Sequence, residues 1–184
     1  MILGSDVRHI GSVLRMKPGE KLMVNAGGDW EYLCEIANIE RDSVSLRVLE
    51  GRQETRELPV SITLYQGLPK AEKMELIVQK AVELGAAAIV PVEMHRSVVR
   101  LDEKKAAVKQ KRWQAIAEAA AKQAGRSVIP EVSLPISFKE ALRRVEAEGT
   151  ELRLLPYERA AGMAATRDLI RSVKAGQRVA VMIG

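Results

Sequence analysis

A chain of 184 residues with 47% hydrophobic and 29% charged side chains is long enough to bury one or two cores and too apolar to be disordered or collagen-like. A single cysteine, Cys34, excludes an intramolecular disulfide and a Cys-rich zinc site, and two histidines, His9 and His95, do not make a catalytic zinc site of the usual composition. The net charge of +5 points to an acidic partner such as nucleic acid only if the cations cluster.

In chain order, Ser5 or Asp6 is expected to cap a short helix whose apolar positions Val7, Ile10, Val13 and Leu14 recur at helical spacing, with Lys17-Pro18-Gly19 ending it. Strand-like runs follow at Lys21 to Asn25, Trp30 to Asn38 and Ser43 to Leu49, separated by turn sequences at residues 26–29 and 40–42. Val44, Leu46 and Val48 alternate with Ser45 and Arg47, the pattern of a half-buried strand. Short strands, tight turns and one helix describe a compact β-barrel over residues 1–57.

The periodicity then changes. Val60 to Gln66 alternates as a strand, Gly67-Leu68-Pro69 breaks it, and Met74, Ile77, Val78, Ala81 and Leu84 share one face of a helix from Lys70 to Leu84 that Gly85 stops. Ala86 to Val92 is a buried strand with Pro91 at its end. Asp102 caps the longest helix, Glu103 to Ala124, and Ser137 with Glu140 forms a capping box for another that runs to Glu148. Strands at Glu131 to Leu134, Glu151 to Leu155 and Arg178 to Ile183 and a helix at Ala164 to Lys174 complete residues 58–184. Such alternation defines a parallel sheet with helices on both faces, whose ligands lie beyond the carboxyl ends of its strands.

The cations do cluster. From Arg100 to Arg126 eight basic residues face three acidic ones, which is either a solvated helix face or a phosphate-binding surface. No glycine-rich dinucleotide fingerprint, P-loop or nucleophile elbow occurs. His9 and His95 read as local hydrogen-bonding residues, and Cys34, inside a strand pattern, as a small buried hydrophobe. Arg96, with Ser97 and Arg100 beside it, follows a buried strand, where a guanidinium either holds phosphate or solvates the sheet edge. Glu158 either accepts from a ligand or caps the helix after it. No stretch approaches the ~18 apolar residues of a membrane span, and Met1 to Arg8 lacks the regions of a signal peptide, so a cytoplasmic protein with no membrane partner is expected.

The residues Asp6-Val7-Arg8-His9-Ile10, Val13-Leu14-Arg15-Met16, Gly67-Leu68-Pro69-Lys70, Lys73-Met74-Glu75, Glu83-Leu84-Gly85, Arg96-Ser97-Val98-Val99, Arg112-Trp113 and Gln123, in this order, resemble the RsmE family. These are bacterial 16S rRNA (uracil-N3)-methyltransferases, which modify the uridine at position 1498. The resemblance implies a small PUA-like β-barrel over 1–57, then a SPOUT-type α/β methyltransferase domain over 58–184 with a trefoil knot that binds S-adenosylmethionine and forms a homodimer. It also implies that this chain lacks the opening strand and the later segment that completes the knot, and Arg8-His9 stands where the family shows two histidines. The cofactor would then lie against Leu155, Pro156, Tyr157, Glu158, Ile183 and Gly184. Arg96 would stand nearest the chemistry, and Arg8, Arg15, Lys70, Arg100, Lys104, Lys105, Arg112 and Arg126 would neutralise phosphates of 16S rRNA in the small ribosomal subunit. Methyl transfer from a sulfonium needs no metal. The alternative from a different class is a noncatalytic, dimeric RNA-binding module.

Overall fold

The computed structural model describes residues 1–25, 30–53, 57–70, 73–95, 101–157 and 164–184. They form two compact units, Met1–Arg56 and Glu57–Gly184.

In the N-terminal unit, strands β1 (Ile2–Leu3), β2 (Lys21–Asn25), β3 (Trp30–Ile39) and β4 (Ser43–Gln53) make an antiparallel sheet in the order β1-β4-β3-β2. Register shifts leave Leu49 of β4 and Ala37 of β3 unpaired and bend the two strands, so the barrel takes the form of a curled half-barrel. The first strand, β1, is two residues long, with Ile2 opposite Val44 and Leu3 opposite Ser43. The core of this unit is Val7, Ile10, Ile36 and Val44, ringed by Ile2, Met16, Leu22 and Leu46. Cys34 is buried and reduced, as its strand position implies.

The helix departs from expectation. Only α1 (Ser5–Arg8) is α-helical, no side chain caps it, and His9–Val13 continues as a π-helix. The Leu14 N–H donates to the His9 carbonyl at 2.9 Å, five residues back, so the wider turn carries Val13 and Leu14 out of line with Val7 and Ile10. Both are exposed. Arg15, at a φ of 55°, ends the turn before Lys17-Pro18-Gly19 is reached.

The C-terminal unit alternates β5 (Ser61–Gly67), α2 (Lys73–Glu83), β6 (Ala88–Glu93), α3 (Glu103–Gln123), β7 (Glu131–Val132), β8 (Ile136–Ser137), α4 (Phe138–Ala147), β9 (Leu152–Leu154), α5 (Ala164–Arg171) and β10 (Arg178–Ile183). Its parallel sheet runs β7-β6-β5-β10-β9, with β8 also on β6. Strand alternation sends Ile89 and Val132 to one face, against Met74, Val78 and Val82 of α2 and Trp113, Ala117 and Ala121 of α3. Tyr65, Val90, Val92, Ala180 and Met182 face α4 through Ala141 and Val145.

The helix starts follow local chemistry. Asp102 accepts from the Lys105 N–H at 2.8 Å and Ser137 from the Glu140 N–H at 3.2 Å. Pro91, expected at a strand end, lies inside β6 opposite Gln66, with Val92 and Glu93 beyond it. On the far side of β6 the partner changes from β7, which ends opposite Ile89, to β8, which begins opposite Val92. The proline thus falls in a gap of that ladder and breaks no pairing there.

The first residue of this unit anchors two helix ends. The Glu57 carboxylate accepts from Arg126, from the Ser127 and Val128 N–H groups at 3.1 and 3.2 Å, and from the Ser127 hydroxyl. Arg126 also donates to the Val82 and Ala86 carbonyls at 3.1 and 2.7 Å, satisfying the carboxyl end of α2. Gly85 turns there at a φ of 95°, and a side chain on it would lie 2.7 Å from the Leu58 Cδ1.

Burial alone pushes the Glu57 carboxyl up, but the hydrogen bonds from Arg126 and Val128 outweigh it and hold the group below its ordinary value of 4.5. A carboxyl depressed in the fold gives stability that is complete above its unfolded value and is lost as pH falls through the folded one. Urea titrations should therefore show Glu57→Gln removing part of the acid destabilisation below pH 4.5. Arg126→Ala, which strands the carboxylate, should cost about 3 kcal/mol at neutral pH.

Candidate functional site

The sheet reverses direction at its centre. From β5 the chain crosses through α2 and α3 toward β7, whereas β10 arrives from β9 on the opposite side and pairs with β5. The carboxyl ends of β5 and β10 therefore mark a topological switch point, the place where such sheets bind ligands.

At that point the strands approach so closely that a side chain on Gly67 would have to push its neighbours aside. A Cβ there would lie 3.0 Å from the Met94 Cγ and 3.3 Å from both the Ile183 carbonyl oxygen and the Gly184 Cα. The Gln66 side-chain amide, buried beside it, donates to the Gly67 carbonyl at 3.0 Å. β10 stays paired with β5 through Ile183, but its last pair with β9 is Val181 with Leu154. Beyond it the peptide groups of 155–157 and of Gly184 lie past the last strand pairs, and Leu155, Tyr157 and Ile183 are exposed beside them. Pro156 and Gly184 are exposed too. Uncharged side chains next to open backbone donors and acceptors suit a nucleoside and an aliphatic chain better than a phosphate. The donor set thus fits the adenosine and methionine parts of S-adenosylmethionine.

Deeper under β5, the Tyr65 hydroxyl donates to Glu148 at 3.2 Å and Arg144 donates to the same carboxylate at 2.6 Å. Burial, reinforced by the Glu148 charge, pushes the Tyr65 phenol up to about 12. This is a locked structural contact, since Tyr65 is wholly buried.

Of the expected site residues, Arg96, Arg100 and Glu158 lie outside the described residues. Lys70 is exposed at the turn after β5, and Lys104 and Lys105 stand exposed on the first turn of α3, where Lys105 pairs with Asp102 at 3.1 Å. Arg112 donates to Glu75 at 2.8 Å, and the other Glu75 oxygen is buried without a partner among the described residues. Arg126 departs from the expected phosphate contact: its side chain is 5% exposed and committed to Glu57, Val82 and Ala86. Lys111 and Lys122, two of the eight cations of the basic segment, are exposed two and five turns beyond Lys104, so the three lie along one line of α3. Spacing of 7 and 18 residues in the sequence carries that signal.

In the N-terminal unit Arg8, the last residue of α1, and Arg15, two residues past the π-helix, are both exposed. Arg15 is the one described residue other than glycine with a positive φ, and its side chain makes no described bond.

Residues 56–184 match the family described as an RNA methyltransferase domain and residues 2–49 the one described as an RNA methyltransferase PUA domain, so fold and site define a chain of the RNA methyltransferase class. Ribosomal RNA small subunit methyltransferase E of Bacillus subtilis is 42% identical over 145 residues, which is 79% of this chain and 57% of that protein. Its counterpart in Synechocystis is 30% identical over 146 residues, 79% of this chain and 46% of that protein. The crystal structure of ribosomal RNA small subunit methyltransferase E from Neisseria gonorrhoeae, bound to S-adenosyl methionine, superposes with a TM-score of 0.75 at 30% identity, covering 100% of this chain and 72% of that one. The chain belongs to the ribosomal RNA small subunit methyltransferase E family. It spans about half the length of the curated relatives it matches.

Arg15 yields a test of what holds its backbone. A glycine relieves the left-handed strain, so Arg15→Gly should raise the unfolding free energy by up to about 1 kcal/mol in urea titration. A loss of stability instead would show that the guanidinium supports the fold.

Proposed function

We propose that the protein methylates N3 of a uridine in 16S rRNA, at position 1498, using S-adenosylmethionine, and does so as a cytoplasmic homodimer. The observation that carries this reading is the ordered match of both units to the PUA and methyltransferase families, combined with a relative of known structure that holds S-adenosyl methionine and aligns over the whole chain. The exposed positions Leu76 and Val108 on α2 and α3 support a surface for a second copy. No helix among the described residues is long and apolar enough to cross a membrane.

In this reading Leu155, Pro156, Tyr157, Glu158, Ile183 and Gly184 hold the cofactor, through backbone groups more than side chains. The bound cofactor supplies an electrophilic methyl group. The protein then has to orient the uracil edge and let its N3 proton leave. Arg96, on the segment after β6, is assigned to the reacting base, where a fixed cation favours the deprotonated ring. Lys70, Lys104, Lys105, Arg112 and Arg100, with Arg8 and Arg15 on the N-terminal unit, are assigned to phosphate, where they set register without reading sequence. Arg126 is left out of this set because its guanidinium is spent inside the fold.

The decisive experiment is transfer of labelled methyl from S-adenosylmethionine to small ribosomal subunits that lack the modification, mapped by the reverse-transcription stop that N3 methylation produces. Labelling of a single uridine is expected; none would overturn the reading in favour of an RNA-binding module. The cation line has its own measure. Replacing Lys104 and Lys111 with alanine should lower the slope of log affinity for rRNA against log salt by about two, since each lysine on phosphate releases roughly one counterion.

A further inference from the structure

Six aromatic residues serve the whole chain, and two of them sit together on the sheet of the N-terminal unit. Trp30 and Tyr32 are two positions apart on β3 and so share a face; their ring centroids are 6.2 Å apart and their planes within 18°. Trp30 is 46% exposed although tryptophan usually hides most of its surface. This face is the continuation of the one that carries Cys34 and Ile36 into the core, and at Trp30 it reaches solvent.

The strand beneath is shaped to the rings. Gly51 of β4 pairs with Tyr32, and a Cβ on it would lie 3.2 and 3.3 Å from the Tyr32 ring and 3.7 Å from the Trp30 ring. A side chain there would press on the Tyr32 ring and shift it by a few tenths of an ångström. The charges are sorted as well. Glu31, Glu35 and Glu50 alternate to the opposite face, where Glu31 and Glu35 pair with Arg52 and Arg47 at 3.0 and 2.7 Å. Opposite Trp30 stands Gln53, an exposed hydrogen-bonding side chain without charge. No carboxylate of β3 or β4 therefore opposes an incoming polyanion on the aromatic face.

We propose that Trp30 and Tyr32, over Gly51, form a stacking platform for an unpaired RNA base. A flat, uncharged, amphipathic surface next to a neutral hydrogen-bonding group takes the π face of a base and rejects little else of an RNA strand. The proposal rests on the rRNA-methyltransferase reading for the nature of the nucleic acid, and adds to it a contact by the N-terminal unit that is not ionic. Such a contact changes little with salt, unlike those along α3.

Trp30 is its own reporter, because the second tryptophan, Trp113, is 3% exposed inside the other unit. Titrating the protein with an oligouridylate of about six nucleotides should quench and shift the tryptophan emission saturably. In Trp30→Phe the emission change should vanish while affinity, measured with a labelled oligonucleotide, stays within about twofold; Trp30→Ala should lose about tenfold. An emission that ignores RNA, or an alanine variant that binds as tightly as the parent, would overturn the platform. Emission that responds to small subunits but not to RNA would overturn it in favour of a protein contact. Methyl transfer is measured on the same preparations: transfer with a silent Trp30 removes only the platform, whereas no transfer by the parent removes the reading it rests on.

Discussion

Everything at the strand ends depends on β10 lying between β5 and β9. Six consecutive pairs, Arg178 with Ser61 through Ile183 with Gln66, fix it against the first strand of the unit, and three more hold β9 outside it. The register is strict because both faces are buried: a slip by one residue would turn Ala180 and Met182 out of the core under α4. With the register fixed, Gly184 meets Gly67, and a Cβ on Gly67 would fit only if Met94 and the end of β10 gave way. The short β9 then makes the opening, since it stops pairing two residues before β10 does.

In the rRNA-methyltransferase reading proposed above, the two units meet one polyanion with different chemistry. The α/β unit carries its cations in a line along a long helix, a geometry that neutralises phosphates but says little about which bases lie between them. The half-barrel adds to Arg8 and Arg15 an aromatic surface on a strand whose carboxylates, Glu31 and Glu35, are paired with Arg52 and Arg47. Division of this kind lets affinity and base contact be tuned separately.

Much of this was legible because it is local. Asp102, Ser137 and Gly85 announce their helix boundaries through capping and left-handed turns that need only neighbouring residues. Strand and helix alternation gave the parallel sheet, and the ordered RsmE-like residues gave the family. What stayed hidden depends on distant partners. Arg126 counts as one more cation in a basic segment until Glu57, 69 residues earlier, is seen to hold it. The π-turn of His9–Val13 has no sequence period of its own, so Val13 and Leu14 look like core positions. Pro91 is tolerated in mid-strand only because two other short strands leave a gap beside it. The strand-end residues were placed by the carboxyl-end rule, while the crowding at Gly67 appears only in three dimensions.

The central position of β10 also bears on how the chain comes to be folded. Of all the described strands it is synthesised last, yet it occupies the middle of the sheet, so β5 leaves the ribosome with one hydrogen-bonding edge bare and must wait for a partner more than a hundred residues downstream. During that interval the β5–β6 pair is an open edge of apolar strand, the kind of surface that aggregates or recruits a holdase. Assembly of the α/β unit is therefore slow and late relative to the half-barrel, whose β2, β3 and β4 pair as sequence neighbours and whose β1 waits only about forty residues for β4.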